Sequence, residues 1–518
     1  MQKKIFLSIF IIFSLSWAVS AQQTHEVQSG ETLYSVSKKY GVTISNLVKA
    51  NPNANRGLRN GMSIVIPIIH ESIDTVAYFI HKVRPLESFF SISNKFGVNE
   101  EQLLKFNPEL SDGFRSGMRI KVPQFEELDA TEAVETEESD KDVEKSRRKK
   151  NAKFNKKESY KIALMMPLYL DKNDTIEAYN NLKEGDQIYK KTRFALDFYS
   201  GAKIAIDTMR KAGMSLDVHV FDTNNDANHT FDLVAQKEFD DMDLVIGPFY
   251  SKNFKLAAEI LSRRDVPIVA PLSTKPNLLE KIPNAFQVIT TPKRQVTYLS
   301  DFIAEHYSDK NITLVRRDND EESKFADWMM SAMDTSELFS FQEVLVEGAI
   351  IDSIHHHLDS LAETNVLLIP SQDKSFVTDM LTKLNVMRDS NMVVFGMPDW
   401  YGYKDLDYNY LDHLNVHIPN SGILSYEDSL TQYFVKEYQE STGIDPNQRF
   451  AFSGFDITYY FLSLLYENGG LSTDMYMEPN TLLNMSFDYN YNRNEKNGSR
   501  NQFVQIITYD DLEIKRVD

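Results

Sequence analysis

The chain has 518 residues, of which 42% are hydrophobic and 25% charged, and its formal net charge is −19. This length exceeds what one hydrophobic core organises, so we expect roughly two to four domains, and the acidic balance argues against binding to nucleic acid or anionic membranes. Cysteine is absent, which excludes disulfides, thiolate metal sites, a cysteine nucleophile and the lipid-modified cysteine of a bacterial lipoprotein.

Residues 1–21 have the pattern of a secretory signal peptide. Lys3 and Lys4 precede an apolar run that ends at Trp17, and Val19-Ser20-Ala21 supplies the small residues of a cleavage site. An uncleaved anchor is the alternative, but the apolar run is shorter than the roughly 20 residues that span a bilayer. We therefore expect an exported, soluble product that is periplasmic and associated with the cell wall.

Residues 24–69 and 77–124 form an internal repeat with an offset of 56 positions and no gap. The positions of glycine and proline predict strand, helix, helix and strand in each unit. Matching pairs include His25 and His81, Gly41-Val42 and Gly97-Val98, Asn51-Pro52 and Asn107-Pro108, Gly61-Met62 and Gly117-Met118, and Pro67 and Pro123. In the first unit we predict strands at 25–28 and 63–66 and helices at 32–40 and 44–51.

This pattern, with Val-Gln-Ser-Gly-Glu-Thr-Leu-Tyr at 27–34 and Asn-Pro ahead of a late glycine and Ile-Pro, resembles the LysM domain. LysM domains bind glycans that contain N-acetylglucosamine, in bacteria usually peptidoglycan, in a shallow groove between two loops. Backbone amides and small polar side chains in such loops suit an acetamido group. The alternative is that these residues only cap a helix and form a turn. The resemblance implies glycan contacts from Gly30, Glu31, Thr32, Leu33, Asn53, Ala54 and Asn55.

The second repeat departs from the LysM pattern in its first loop. Pro85-Leu86 stands where the first repeat has Ser29-Gly30, so the loop loses a permissive glycine and an amide donor. We expect the second repeat to serve mainly as a structural partner of the first.

The composition changes abruptly at residues 125–158. Acidic residues dominate as far as Glu144, and the basic cluster Arg147-Arg148-Lys149-Lys150 follows. Few apolar residues interrupt the charges, so we predict a disordered linker. A nucleic-acid or lipid site on the basic cluster is the weaker interpretation, because the longer acidic run beside it could neutralise the charge.

Residues 159–518 alternate predicted strands and helices as an open parallel sheet does. We predict strands at 162–166, 218–221, 312–315, 366–369 and 392–395, and an amphipathic helix from Arg193 to Lys211. The chain leaves one sheet between Ala285 and Thr291 and then starts a second α/β series. The expected fold class is α/β, with two small LysM units, the linker, and a bilobed domain that has two parallel sheets and a cleft.

Two neighbouring strands of this domain end in hydroxyl residues. The strand at 244–248, which the breakers Gly247 and Pro248 end, is followed by Ser251 and a helix. The strand at 266–271 is followed by Ser273 and Thr274, with Pro276 placed to open another helix. Because parallel strands end at the same edge of a sheet, these residues predict a pocket for an anion or a polar ligand.

Three segments carry a resemblance to the type I periplasmic binding protein fold, in its branched-chain amino acid receptor branch. They are Ile246-Gly247-Pro248-Phe249-Tyr250-Ser251, Val266 to Thr274, and Phe452-Ser453-Gly454-Phe455-Asp456. The resemblance implies that Ser251, Ser273 and Thr274 hold a ligand carboxylate with their hydroxyls. The alternative is that they are helix N-caps.

Other candidate sites fail on spacing. Residues 222–226 start like a calcium loop, but Ala227 and Leu233 stand where glycine and glutamate are required, so a polar loop is expected. The consecutive residues His355 to His357 would point in different directions on a helix, so we expect a solvated histidine face and not a metal site. We also expect no cofactor. No metalloprotease, serine-hydrolase or phosphate-loop motif occurs.

Three functional classes remain open. The first is a non-catalytic receptor that grips peptidoglycan and closes on a small polar ligand. The second is an interaction scaffold without a ligand that contacts cell-wall synthesis proteins, as a family of penicillin-binding-protein activators does with a similar domain. The third is a wall hydrolase, which would need a pair of catalytic carboxylates. The chain has 75 acidic residues, so the spacing of carboxylates along the sequence neither identifies nor excludes such a pair. We favour wall anchoring without catalysis.

Overall fold

The structure is a computed structural model of the chain. The chain divides into two compact units, residues 1–131 and 132–518. The predicted signal peptide, the linker up to residue 153 and the seven predicted glycan contacts lie outside the described residues. The residues described are 24–27, 39–40, 50–51, 62–66, 78–83, 92, 96, 98, 100–112, 118–123, 154–174, 188–333, 340–347, 354, 356–358, 364–387, 392–426, 428–477, 479–490, 497–511 and 513–517.

Each repeat of the first unit forms a two-stranded antiparallel sheet. β1 (Thr24–Glu26) pairs with β2 (Ser63–Val65), and β3 (Tyr78–Lys82) pairs with β4 (Arg119–Pro123). In the second repeat α1 (Glu100–Phe106) packs on β4. The predicted strands are therefore confirmed. Of the two helices predicted in the first repeat, residues 39–40 and 50 are described, and all three are helical.

A buried asparagine completes the sheet in each repeat. The Asn51 side chain donates to the Val65 carbonyl and accepts from the Val65 amide, both at 2.7 Å. Asn107 makes the same two hydrogen bonds with Lys121, at 2.7 and 2.6 Å. Because a carboxamide has both an acceptor and donors, it replaces a neighbouring strand at this point. The repeated Asn-Pro therefore has a structural role, and apolar residues such as Leu103, Ile120 and Val122 fill the core beneath it.

The first lobe of the C-terminal unit is built on a six-stranded parallel sheet in the order β17-β9-β8-β7-β5-β6. Its central strands are buried at every position, as parallel strands covered on both faces must be. Its strands are β5 (Tyr160–Met166), β6 (Leu216–Asp222), β7 (Leu244–Ile246), β8 (Ile268–Ala270), β9 (Ala285–Gln287) and β17 (Ser499–Arg500). Its helices are α2 (Leu170–Asn173), α3 (Arg193–Lys211), α4 (Ala227–Val234), α5 (Ser251–Leu261), α10 (Ser429–Thr442) and α11 (Phe450–Asn468).

The second lobe is built on a seven-stranded sheet in the order β11-β10-β12-β13-β14-β18-β19. The strands from β11 to β14 are parallel, and β18 and β19 are antiparallel additions. The strands are β10 (Asn311–Arg316), β11 (Ser340–Leu345), β12 (Asn365–Leu368), β13 (Met392–Phe395), β14 (Val416–Asn420), β18 (Gln505–Asp510) and β19 (Glu513–Arg516). The helices are α6 (Pro292–Tyr307), α7 (Asp320–Met333), α8 (Lys374–Met387) and α9 (Tyr408–His413), and a small hairpin is formed by β15 (Asn480–Thr481) and β16 (Ser486–Phe487).

The predicted α/β architecture with two sheets is confirmed, and the predicted helix 193–211 has the observed bounds. One local prediction is wrong. Pro276 opens no helix, because residues 276–281 form successive turns and the chain passes directly to β9. The last residues of the predicted linker, 154–158, lie against the C-terminal unit, where the Lys157 ammonium is 2.5 Å from the Asp243 carboxylate.

The sequence also gave no sign that the chain returns to the first lobe. Helix α11 packs along α3, and two glycines allow the close approach. A Cβ at Gly454 would lie 2.0 Å from the Phe198 carbonyl oxygen, and one at Gly201 would lie 1.9 Å from that of Ala451. The Phe-Ser-Gly-Phe-Asp motif is therefore a helix-packing feature of the first lobe's interior. Within the part of the C-terminal unit that the structure describes, the chain crosses between the lobes three times: between β9 and α6, between β14 and α10, and between β17 and β18.

Candidate functional site

The two predicted serines meet at the carboxyl edge of the first lobe's sheet. Ser251 is the first residue of α5, Ser273 follows β8, and their hydroxyl oxygens are 2.9 Å apart. Ser273 is buried, Ser251 is half-buried and Thr274 is exposed. The N-cap position of α5 is Tyr250, and no helix begins after Ser273. The alternative that these serines are N-caps is therefore wrong, while their contact with a ligand stays a prediction.

The backbone amides at the same edge already hold an anion of the protein itself. The Asp222 carboxylate, at the end of β6, accepts hydrogen bonds from the amides of Leu168, Tyr169 and Leu170 at 2.8, 3.1 and 2.8 Å. It also accepts from the amide of Asn224 at 2.8 Å. These donors are consequently occupied and do not await a ligand carboxylate. The polar loop expected after this strand is confirmed, and it serves to fix the neighbouring loop.

Aromatic side chains cluster beside Tyr250, the residue that precedes Ser251. The Phe194 ring lies 6.3 Å from Tyr250 in an edge-to-face arrangement and 5.4 Å from Phe450. The Arg449 guanidinium lies 5.3 Å from the Phe450 ring centre. Tyr250 is 37% exposed, so this aromatic cluster, which has one adjacent cation, reaches the surface next to Ser251 in the chain. Such a surface suits a ligand with an apolar or planar part.

The second lobe contributes a polar cavity that the sequence analysis did not predict. Its volume is about 690 Å³, and its residues follow three parallel strands, β10, β12 and β13. The cavity is lined by Arg317, Asp318, Asn319, Glu321, Gln372, Asp373 and Asp399. The sequence could have indicated this cavity, because the polar run Arg317 to Glu321 directly follows a predicted strand. Residues that follow parallel strands lie at one edge of the sheet, and the serines were identified by the same rule.

Carboxylates outnumber cations in this cavity. Its single arginine, Arg317, is paired with Glu322 at 2.5 Å and with Asp373 at 2.9 Å. Hydrogen bonds from the Phe376 amide and from Arg317 lower the pKa of the Asp373 carboxyl. Burial raises the pKa of the Asp399 carboxyl, although a hydrogen bond from Gln372 and the attraction of Arg449 act in the opposite direction. A ligand there should offer positive charge or hydrogen-bond donors.

Asp456, the last residue of the third predicted motif, belongs neither to the serine pair nor to the lining of the cavity. Its side chain is fully buried on α11 and accepts hydrogen bonds from the amides of Leu483 at 3.0 Å and Asn484 at 2.9 Å. Burial raises the pKa of its carboxyl to about 7. Asp456 thus holds the hairpin of β15 and β16 beside the crossing at Gly422, whose Cβ position would lie 2.0 Å from the Asn484 carbonyl oxygen.

Neither a metal site nor a membrane span emerges from the described part of the chain. It contains no group of three histidine, aspartate or glutamate side chains placed to hold a metal ion. His356 is exposed, and the His357 ring nitrogen Nδ1 lies 2.6 Å from the Gln342 side-chain oxygen. None of the described helices combines the length and the apolar character that crossing a membrane requires.

Comparison with known proteins begins with the repeats. The family model described as the LysM domain matches residues 25–67 and 81–123. Both repeats are LysM domains. The curated relatives include N-acetylmuramoyl-L-alanine amidases from two strains of Staphylococcus epidermidis, each 29% identical over 127 residues. That match covers 24% of this chain and 39% of the amidase, so the chain spans about two fifths of the relatives' length.

Solved structures resemble the unit that follows the LysM domains. A protein assigned as a branched-chain amino acid ABC transporter from Rhodospirillum rubrum is 17% identical, with a TM-score of 0.51, over 69% of this chain and 100% of its own. LpoA of Haemophilus influenzae is 13% identical, with a TM-score of 0.48, over 71% of this chain and 60% of its own. The first likeness shows the fold alone, and the C-terminal unit has the predicted type I periplasmic binding protein fold.

Proposed function

We propose that this chain is an exported, non-catalytic protein of the bacterial cell envelope that binds peptidoglycan through its LysM domains and carries a ligand-sensing domain. The observation that carries the proposal is the pair of LysM domains in one chain with a bilobed unit. An untethered uptake receptor would not need glycan-binding repeats. The proposed glycan contacts are Gly30 to Leu33 and Asn53 to Asn55, and Asn51, which precedes the second of these segments in the sequence, is itself held by hydrogen bonds with Val65.

Sedimentation with purified peptidoglycan sacculi tests the anchoring. The full chain should sediment with sacculi, whereas the C-terminal unit cut at the linker should stay in solution. The variant Thr32→Ala with Leu33→Ala should reduce sedimentation, because it removes a hydroxyl and apolar methyl groups from the proposed groove. The proposal is wrong if the full chain and the cut unit both stay in solution. Release of soluble fragments from sacculi by the chain alone would contradict the non-catalytic assignment.

We further propose that the cleft of the C-terminal unit takes a small polar ligand. The Ser251 and Ser273 pair and the aromatic surface would contact one part of it, and Asp399 with its neighbouring carboxylates would contact a cationic or donor-rich part. A panel of amino acids, amines and muropeptides, tested by thermal unfolding of the full chain, should include a compound that raises the melting temperature. Asp399→Asn should weaken that effect, while the distant exposed variant Asp232→Asn should not.

A second candidate function is favoured by one feature of the same cleft. The polar groups there are largely satisfied within the protein, since Asp222 occupies the loop amides, the serines bond to each other and Arg317 is paired with Glu322. A domain that acts as a scaffold for wall-synthesis proteins has no need of free ligand groups. Copurification of a wall synthase with the full chain, together with no stabilisation by any compound in the panel, would favour the scaffold over the receptor.

A further inference from the structure

The outer face of the second LysM domain's sheet is exposed and basic. Alternate residues of β3 and β4 point away from the core, and we call Tyr78, Ile80, Lys82, Arg119 and Lys121 the basic sheet face. Tyr78 is 47% and Ile80 52% exposed, and the three cations are exposed as well. Ile120 and Val122, which alternate with them, are fully buried. The side chains of this face are therefore not part of the domain's core.

The cations of the basic sheet face lie against each other. In the strand register Lys82 is directly opposite Arg119, and Ile80 is opposite Lys121. Directly opposed side chains on one sheet face are about 5 Å apart and diagonal ones about 7 to 8 Å, so three positive charges share a small area. Like charges in this arrangement destabilise a sheet. Among the described residues none of the three forms an ion pair with a carboxylate, so an external anion would remove a real repulsion.

Apolar groups adjoin the charges. The Lys121 ammonium lies 5.1 Å from the centre of the Tyr78 ring, and Phe106 lies 6.3 Å from the same ring. Ile80 is exposed between Tyr78 and Lys82 along the strand. The face thus offers methyl and ring surface beside cations. This combination matches a short peptide that has free carboxylates and small apolar side chains.

The first LysM domain shows that the fold does not require these residues. With the offset of 56 positions, Ile80, Lys82, Arg119 and Lys121 correspond to Thr24, Glu26, Ser63 and Val65. The first domain forms the same strand pairing with no cation at these positions. The second domain, which has Pro85-Leu86 in place of the sugar-loop glycine, carries the cations instead. The two domains therefore differ in what they can bind.

We propose that the basic sheet face binds the carboxylates of the short peptides that peptidoglycan carries along its glycan strands. This inference rests on the proposed peptidoglycan binding and assigns a partner to the second domain. The first LysM domain holds the sugars, and the second holds the acidic peptides of the same polymer. Each exposed ion pair contributes little by itself, and three together correspond to roughly a tenfold change in affinity.

The test exchanges the face for the residues of the first domain. The variant Lys82→Glu, Arg119→Ser, Lys121→Val in the full chain should fold, because the first domain forms this sheet with those residues. Its affinity for intact sacculi should fall about tenfold or more relative to the parent chain. For glycan strands stripped of their peptides by an amidase, the variant and the parent should bind equally. The parent's advantage on intact sacculi should shrink as salt is raised.

Two further variants of the full chain isolate the cause. The charge-preserving variant Lys82→Arg, Arg119→Lys, Lys121→Arg should keep the parent affinity. A matched variant with the same change in net charge at exposed positions of the C-terminal unit, Lys237→Glu, Lys255→Val, Arg263→Ser, should also keep it. If this matched variant also loses affinity, net charge controls binding and the basic sheet face does not. That result would overturn the inference.

The outcomes separate this inference from the proposed function. If the parent binds neither intact sacculi nor stripped strands, peptidoglycan binding itself fails and this inference falls with it. If the parent binds both equally and the exchange variant matches it, peptidoglycan binding stands and the peptide contact is refuted. If the exchange variant loses binding only to vesicles with phosphate-bearing lipids, the face recognises a different partner and the inference is again refuted.

Discussion

Replacing Asp456 by asparagine should change how the stability of the C-terminal unit depends on pH. The buried Asp456 carboxyl has its pKa raised from 3.8 to about 7, so the folded state holds this proton more tightly than the unfolded state does. The protonated side chain contributes stability that is fully present below about pH 4 and is lost as pH rises through about pH 7. The full difference corresponds to about 4 kcal/mol, of which about 3 kcal/mol falls between pH 5 and pH 8.

Urea unfolding of the parent and of Asp456→Asn at pH 5 and pH 8 measures this difference. Asparagine does not titrate, so the parent should lose about 3 kcal/mol more than the variant over this range. Asparagine accepts the hydrogen bonds of the Leu483 and Asn484 amides less well than aspartate does. The stability lost in this way is the same at both pH values. Asp232→Asn, on the exposed side of α4, should follow the parent. Parallel losses in the parent and Asp456→Asn would refute the assignment of a raised pKa to this carboxyl.

Three other substitutions test the fold and the site. Gly454→Ala should destabilise the C-terminal unit by about 1 to 3 kcal/mol, because its methyl group would meet the Phe198 carbonyl at 2.0 Å; an unchanged urea midpoint would contradict the close helix packing. Asn107→Ala should cost the second LysM domain about 2 kcal/mol, because it leaves two backbone groups of Lys121 without a partner, and faster proteolysis confined to this domain is the expected readout. Asp222→Ala should destabilise the first lobe by about 3 kcal/mol, because the amides of the loop after β5 lose their acceptor; equal urea midpoints for variant and parent would show that these bonds are dispensable.

Local patterns in the sequence were sufficient for part of the elements. The helix 193–211 and the strands β5 to β8, β10, β12 and β13 follow from side-chain periodicity and from the breakers that end them, whereas β9, β11, β14 and β17 to β19 were not predicted. The LysM repeats were predictable because matching Asn-Pro and Gly-Met pairs recur at a fixed offset. Pro276 misled the prediction, since a proline that can open a helix is equally compatible with a turn.

Features that depend on distant parts of the chain were not predictable. The apolar run 450–468 reads as a buried helix, but nothing in its sequence says that it packs on α3, which lies more than 200 residues earlier. The serine pair was found because both residues follow neighbouring strands. The cavity of the second lobe was missed although the same rule applied, because its carboxylates are spread over three loops and acidic residues are common in this chain.

The three crossings between the lobes have a consequence for how the chain can mature. Residues 499–510 add β17 to one sheet and β18 to the other, so neither sheet is complete before these residues are available. Each LysM domain, by contrast, closes within 43 consecutive residues. During the proposed export, N-terminus first, the large unit therefore stays incomplete until residues 499–510 have passed, whereas each LysM domain can fold as soon as its own residues have crossed.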